Sequence, residues 1–279
     1  MAKLKYLIGC LALLSLSAVA APKADLWERW TAHDDKSAAR IDHASWDALL
    51  KAYIVGDGGL NRFAYARVSN KDKQQLDAYI NQLQSIAISQ YNRAEQRAYW
   101  INLYNAATIQ LVLRHYPVES ITDIDISPGF FSSGPWGNKL LEVEGEAVSL
   151  DDIEHRILRP IWKDPLIHYS VNCASVGCPN LMKQAYTADN YSELAAINAR
   201  AYINSDRGAV VEGGRLRVSS IYEWFQADFG GSDQAVIRHL KQYAEPELAG
   251  ALDSVSKISK DFYDWSLNQP LNQSINEAK

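Results

Sequence analysis

The chain has 279 residues, of which 47% are hydrophobic, 22% charged and 10% aromatic, a balance that excludes disordered, collagen-like and coiled-coil chains. With 28 basic against 33 acidic residues the formal net charge is −5. No long basic run is present, so the chain lacks the electrostatic footprint of a nucleic-acid binder and no nucleic-acid partner is expected.

Residues 1–20 read as a secretory signal peptide. Lys3 and Lys5 give a basic start, Leu7 to Leu16 an apolar stretch, and Ala18-Val19-Ala20 a small-residue cleavage pattern. Cleavage is expected after Ala20, because a later cut would leave Pro22 at the new N-terminus. Leu7-Ile8-Gly9-Cys10 has the look of a lipobox, but too little apolar sequence precedes Cys10 to engage a membrane. Downstream no apolar run reaches the ~20 residues of a membrane span. The expectation is an exported, soluble protein, periplasmic or secreted, with no membrane partner after cleavage and with Cys173 and Cys178 as its cysteines.

In chain order, apolar residues from Leu26 to Tyr53 fall at helical spacing, with Trp46, Leu49, Leu50 and Tyr53 on one face. Gly56-Asp57-Gly58-Gly59 reads as a turn, since no Lys-Ser/Thr follows to make a phosphate loop. Ser69 with Asp72 caps an amphipathic helix whose apolar face is Leu76, Tyr79, Ile80, Leu83, Ile86 and Ala87. Asn92 with Glu95 opens a third helix, apolar nearly all round from Ala98 to Leu113 and stopped by Pro117, which makes it central. Its buried amides, Asn102 and Asn105, must find hydrogen bonds.

Ser127 to Asn138 is a Gly-, Ser- and Pro-rich loop carrying Phe130, Phe131 and Trp136, either a lid or a plug. Lys139 to Leu150 is a hairpin turning at Glu144-Gly145. Ser149 with Asp152 opens a short helix that ends at Pro160 and presents His155 on its surface. Leu166 to Asn172 alternates as a strand. A helix from Tyr191 to Ile203 and a hairpin from Ala209 to Ser219 follow. Ser220 with Glu223 then caps an aromatic helix ending at Gly230-Gly231, and Ser232 opens a helix to Tyr243. Tyr263-Asp264-Trp265 is a candidate closing strand. The predicted class is α+β, a mainly helical single domain packed on a small antiparallel sheet with hairpins, over residues 21–269, with 270–279 frayed.

The reactive residue types concentrate between Leu166 and Pro179, where strand is expected to give way to loop. In an oxidising compartment Cys173 and Cys178 are first a disulfide closing a six-residue loop, worth about 2 kcal/mol, with Gly177 allowing the tight path. Alternatively Cys173 is a nucleophile with His155 as base, Asn105 or Asn102 completing the set, and an oxyanion site made by backbone N–H groups from Ala174 to Gly177. His168 is the second candidate base, set on the wrong face by strand alternation. Glu154 and Asp151 are placed to orient His155. Zinc held by His155, His168 and the cysteines can be written down, but one Cys-x-x-x-x-Cys without a second matched pair does not make a structural site, so no metal and no cofactor are expected. Trp224, Phe225 and Phe229 share a helical face. They are core, or they line a carbohydrate or peptide cleft with Asp228 and Asp264 at its rim.

Five stretches resemble the domain of unknown function 547 family: Trp100-Ile101-Asn102-Leu103-Tyr104-Asn105-Ala106, Asp152-Ile153-Glu154-His155-Arg156-Ile157-Leu158-Arg159, Asn172-Cys173-Ala174-Ser175-Val176-Gly177-Cys178-Pro179, Trp224-Phe225-Gln226-Ala227-Asp228-Phe229-Gly230 and Tyr263-Asp264-Trp265-Ser266-Leu267-Asn268. The resemblance implies neither a reaction nor a ligand. The leading expectation is a disulfide-stapled domain that binds a small molecule or peptide through His168, Ser175, Asn102, Glu154, Trp224 and Asp228. The alternative is a hydrolase or acyltransferase built on Cys173, His155 and Asn105. Free thiol content separates the two.

Overall fold

The computed structural model describes residues 23–129 and 134–271. The expected signal peptide, the loop residues Phe130 and Phe131, and most of the expected frayed tail lie outside the described residues.

The helical spacing expected from Leu26 onward is realised only in part: a 3₁₀ turn, Glu28–Thr31, is followed by non-helical chain over 32–43, and the helix proper, α1, is Ala44–Tyr53, whose Trp46, Leu49, Leu50 and Tyr53 are buried as their spacing predicts. The glycine turn closes a hairpin of β1, Ile54–Asp57, and β2, Leu60–Phe63. In α2, Asn70–Gln84, the Ser69 hydroxyl accepts from the Asp72 N–H and so satisfies one of the orphan donors of the first turn. In α3, Arg93–His115, Asn92 does the same for Glu95. This 23-residue helix is buried along most of its length and forms the axis of a first hydrophobic core. Pro117, which lacks an N–H and restricts the residue before it, stands just beyond its end.

The hairpin of β3, Lys139–Val143, and β4, Glu146–Ser149, turns at Glu144-Gly145, both at positive φ. The next helix departs from expectation. Ser149 and Asp152 exchange hydrogen bonds as a cap, but Asp152–Leu158 is wound as a π-helix and runs through Pro160 into α4, Arg159–Trp162. The wider winding sends the Arg159 N–H to the Glu154 carbonyl, five residues back. Pro160 has no N–H to offer Arg156. The carbonyls of His155 and Arg156 instead accept from the N–H groups of Asp25 and Trp27, both at 3.0 Å. The proline therefore does not end the helix, because the N-terminal segment takes over the bonds that it leaves unmade.

Leu166 to Asn172 is not a strand. Pro165–Tyr169 is a 3₁₀ helix, begun by Asp164, whose side chain accepts from the Leu166 N–H, with Pro165 in the first helical position. This segment and α5, Tyr191–Ile203, connect two cores. Ile167, Val171 and Ala174 pack in the first core and Tyr169 in the second, while α5 gives Tyr191, Leu194 and Ala195 to the first and Ala199, Tyr202 and Ile203 to the second.

The second core is completed by β5, Ala209–Glu212, β6, Arg215–Ser219, α6, Ile221–Trp224, a 3₁₀ turn at Gln226–Phe229, α7, Asp233–Tyr243, α8, Pro246–Leu252, and β7, Ile258–Phe262. Ser220 does not cap α6; its hydroxyl donates to Asp261 at 2.6 Å. The closing strand is β7, just before Tyr263-Asp264-Trp265, and it pairs parallel with β6, which itself pairs antiparallel with β5. The class is α+β and mainly helical, and among the described residues the strands are distributed over three small sheets. Among the described residues no helix is long and apolar enough to cross a membrane.

Candidate functional site

Two adjoining regions hold the candidate residues. The first is an ionic cluster around the π-helix. The Asp228 Oδ2 atom lies 2.7 Å from His168 Nε2 and accepts from Arg159 Nε at 2.6 Å. Arg159 also has its Nη1 3.1 Å from His155 Nδ1. A guanidinium only donates, so His155 accepts at Nδ1 and carries its proton on Nε2, which lies 3.7 Å from Asp151. Glu154 stands between the imidazoles, its Oε1 3.8 Å from His168 Nδ1 and 4.0 Å from His155 Nδ1. Phe225 stacks on His168 with ring centres 4.5 Å apart, and the Arg159 guanidinium lies over the same ring.

Glu154, His155, Arg159 and His168 are all buried, and Asp228 is half-buried. Burial pushes the Asp228 carboxyl up, but hydrogen bonds and charge from His168 and Arg159 outweigh it and hold the group at about 2. Burial lowers His155, with Glu154 opposing and Arg159 reinforcing the shift. Asp151 is pushed up to about 6 by burial and by its neighbours Glu154 and Asp152. On its outer side the cluster opens into a surface depression of about 350 Å³ bordered by Ala24, Arg159, Pro160, Lys163, Asp164, Ala227 and Asp228.

The second region is the cysteine loop, where Cys173 and Cys178 form a disulfide with Cα atoms 6.3 Å apart. The Tyr263 hydroxyl lies 3.1 Å from each sulfur, and the Ser175 hydroxyl donates to it at 3.0 Å. Tyr263 continues into an aromatic wall, packing on Trp224 and Trp265, while Trp265 stacks on Trp224 and meets Trp136.

The loop is tied down on every side. The Val176 and Gly177 N–H groups donate to the Ser266 and Asp264 carbonyls, the Ala174 N–H to the Asn172 side chain, and the Asn268 N–H to the Ala174 carbonyl. Tyr202 donates to the Gly177 carbonyl, and Arg207 to those of Val176 and Cys178. Of the N–H groups from Ala174 to Gly177 expected to form an oxyanion site, those of Ala174, Val176 and Gly177 are committed to acceptors in this conformation. Gly177 is needed for a different reason from the one expected. A Cβ there would stand 2.9 Å from the Asp264 backbone N and O, so glycine admits the C-terminal segment rather than an unusual φ.

The predicted residues thus divide. His155, Glu154, His168 and Asp228 converge, and the objection to His168 from strand alternation falls with the strand. His155 is buried, not on the helix surface. Asn105 is kept apart from them by its bonds: its Nδ2 donates to the Ser170 carbonyl and its Oδ1 accepts from the Asn172 N–H. Asn102 clasps the Tyr186 backbone in the same way. Cys173 is in the disulfide, Ser175 is buried beside it, and Trp224 lies in the aromatic wall. Sequence reasoning passed over Arg159, the centre of the ionic cluster, although a charged residue amid Ile157, Leu158 and Ile161 was a visible signal. It also missed the position of Tyr263, for which the sequence carries no local signal. Among the described residues no group of three or more His, Cys, Asp or Glu side chains is arranged to hold a metal ion.

Residues 88–203 match the family model described as a protein of unknown function, DUF547. This DUF547 region takes in Asn102, Asn105, Glu154, His155, Arg159, His168 and the whole cysteine loop. Trp224, Phe225, Asp228 and Tyr263, which complete both halves of the site, lie beyond it. Comparison with curated proteins and with solved structures gave no match.

Proposed function

We propose that the protein is exported, is cleaved after Ala20, and binds a small ligand bearing both an anionic and a cationic group, of the size of an amino acid or a short peptide. The observation that carries this reading is the Arg159–Asp228 ion pair at the edge of the depression, supported from within by His155 and His168. Burying four ionisable side chains costs stability unless each is paired, and such clusters recur where charge is used for recognition or chemistry. At the rim the exposed Lys163 faces the partly exposed Asp164 and Asp228, with the buried Arg159 paired behind Asp228, a charge pattern suited to a zwitterion, and with Ala24, Pro160 and Ala227 as the apolar surface. A space of about 350 Å³ falls in the range of small-molecule sites. Binding is favoured over acyl transfer at Cys173 because that sulfur is bonded to Cys178 and the neighbouring N–H groups are already in use.

Calorimetric titration with free amino acids and dipeptides tests the reading. At least one should bind the wild type, with affinity falling about tenfold or more in Lys163→Ala and in Asp228→Asn, each losing a charge from the rim. Absence of binding across the panel, or equal binding by both variants, would overturn it. The intact mass of the purified protein tests export separately, and it should correspond to a chain beginning at Ala21.

A further inference from the structure

The two sulfurs of the disulfide are not equivalent. Cys178 is only 5% exposed, whereas Cys173 is half-buried and is the more accessible residue of the pair. The one backbone donor to the pair is directed the other way. The Cys173 N–H, a fixed donor, points at Cys178 Sγ from 3.0 Å. The Tyr263 hydroxyl lies 3.1 Å from both sulfurs and so does not distinguish them, and it receives the Ser175 hydroxyl proton in turn. Ser175 Oγ lies 3.2 Å from Cys173 Sγ and 3.0 Å from the Tyr263 hydroxyl, with a single rotatable proton to serve both, whereas the backbone N–H at Cys178 Sγ is fixed.

Thiol–disulfide exchange needs one sulfur open to attack and the other able to leave as a thiolate, and it quickens as the leaving thiolate is stabilised. Here access falls on Cys173 and stabilisation on Cys178. The loop around them is held by Asp264, Ser266, Tyr202 and Arg207 through backbone groups that do not involve either sulfur, so the scaffold outlasts the bond.

We propose that Cys173 is a thiolation site, the position at which a small extracellular thiol forms a mixed disulfide with this protein. The incoming thiolate bonds to Cys173 Sγ, the S–S bond breaks, and its electron pair departs on Cys178 Sγ. A second small thiolate then attacks the adduct at the sulfur of the small thiol and releases Cys173 as a thiolate, which takes up a proton as Cys178 does. In sum two small thiols are oxidised to one disulfide and the protein disulfide is reduced to two thiols. The proposal does not depend on the ligand reading above, since neither cysteine borders the depression.

The experiment treats the folded protein with excess reduced glutathione, quenches with acid before Cys178 can recoil onto the adduct, alkylates free thiols with N-ethylmaleimide and maps both labels by peptide mass spectrometry. Glutathione should be found on Cys173, with maleimide on Cys178, in about tenfold excess or more over the reverse arrangement. Equal labelling, preference for Cys178, or no adduct until urea is added would overturn the proposal. A second measurement gives oxidised glutathione to the single-cysteine variants Cys178→Ala and Cys173→Ala, each checked for native near-ultraviolet circular dichroism. The thiol of Cys173 should react faster than that of Cys178, and a folded Cys173→Ala protein that reacts as fast overturns it. Should either variant fail to fold, the wild-type mapping decides alone.

Discussion

His168 Nε2 lies 2.7 Å from Asp228 Oδ2, and this contact joins the DUF547 region to a turn 60 residues further along the chain. Because the same oxygen also accepts from Arg159, the Asp228 carboxyl is held at about 2, against ~3.9 for an unfolded aspartate. A carboxyl whose folded value is the lower one stabilises fully above its unfolded value and loses that contribution as pH falls through its folded value. Urea unfolding should therefore show about 2 kcal/mol of stability lost between roughly pH 4 and pH 2 through this group, a step that Asp228→Asn removes. An unchanged acid profile in the variant would contradict the assignment.

His239 gives a second, higher window. Its ring is buried in the second core with Nε2 2.8 Å from the Tyr169 hydroxyl, and burial, reinforced by His168, lowers it to about 4. The unfolded imidazole titrates near ~6.5, so between these values the unfolded chain binds the proton and the folded chain does not. Stability should fall by about 3 kcal/mol as pH drops from roughly 6.5 to 4, and His239→Phe should flatten that slope, Tyr169 keeping its bond to Tyr222. Denaturation curves at several pH values check it.

Asn105 fastens α3 to the strap that carries the cysteines. Asn105→Ala leaves the Ser170 carbonyl and the Asn172 N–H without their buried partner, and the expected loss is about 2–4 kcal/mol in urea unfolding. A loss below about 0.5 kcal/mol would show that water replaces the amide without penalty.

Gly177→Ala drives a methyl group against the Asp264 backbone and should cost about 1–3 kcal/mol. Gly250→Ala serves as the contrast: in α8, with open space around the position, it should stabilise by about 0.5–1 kcal/mol. Thermal unfolding of the two variants should move in opposite directions.

Much of the fold was legible because its signals are local. Caps such as Ser69 with Asp72, Asn92 with Glu95 and Ser232 with Ala235 close within three residues. The hairpin turns at Glu144-Gly145 and Gly213-Gly214 need only the backbone freedom of the turn itself. The disulfide followed from parity and spacing. Leu166 to Asn172 misled because an alternating apolar run fits a strand as well as a 3₁₀ helix, and the deciding signal, Asp164-Pro165, lies just outside it. Pro160 misled because the partners that let the helix pass through it, Asp25 and Trp27, lie more than a hundred residues earlier.

The sequence by itself determined the class of fold, several of the helices and hairpins and the residue types available for chemistry, since propensity, capping and hydrophobic period act over a few residues. Only the tertiary structure decided which of those residues meet. The π-winding turns Glu154, His155 and Arg159 toward His168 and Asp228, and the C-terminal segment brings Tyr263 to a cysteine 90 residues before it. Such meetings depend on the packing of two cores against a shared strap, and a side chain's burial, ion partner and pKa exist only once that packing is complete.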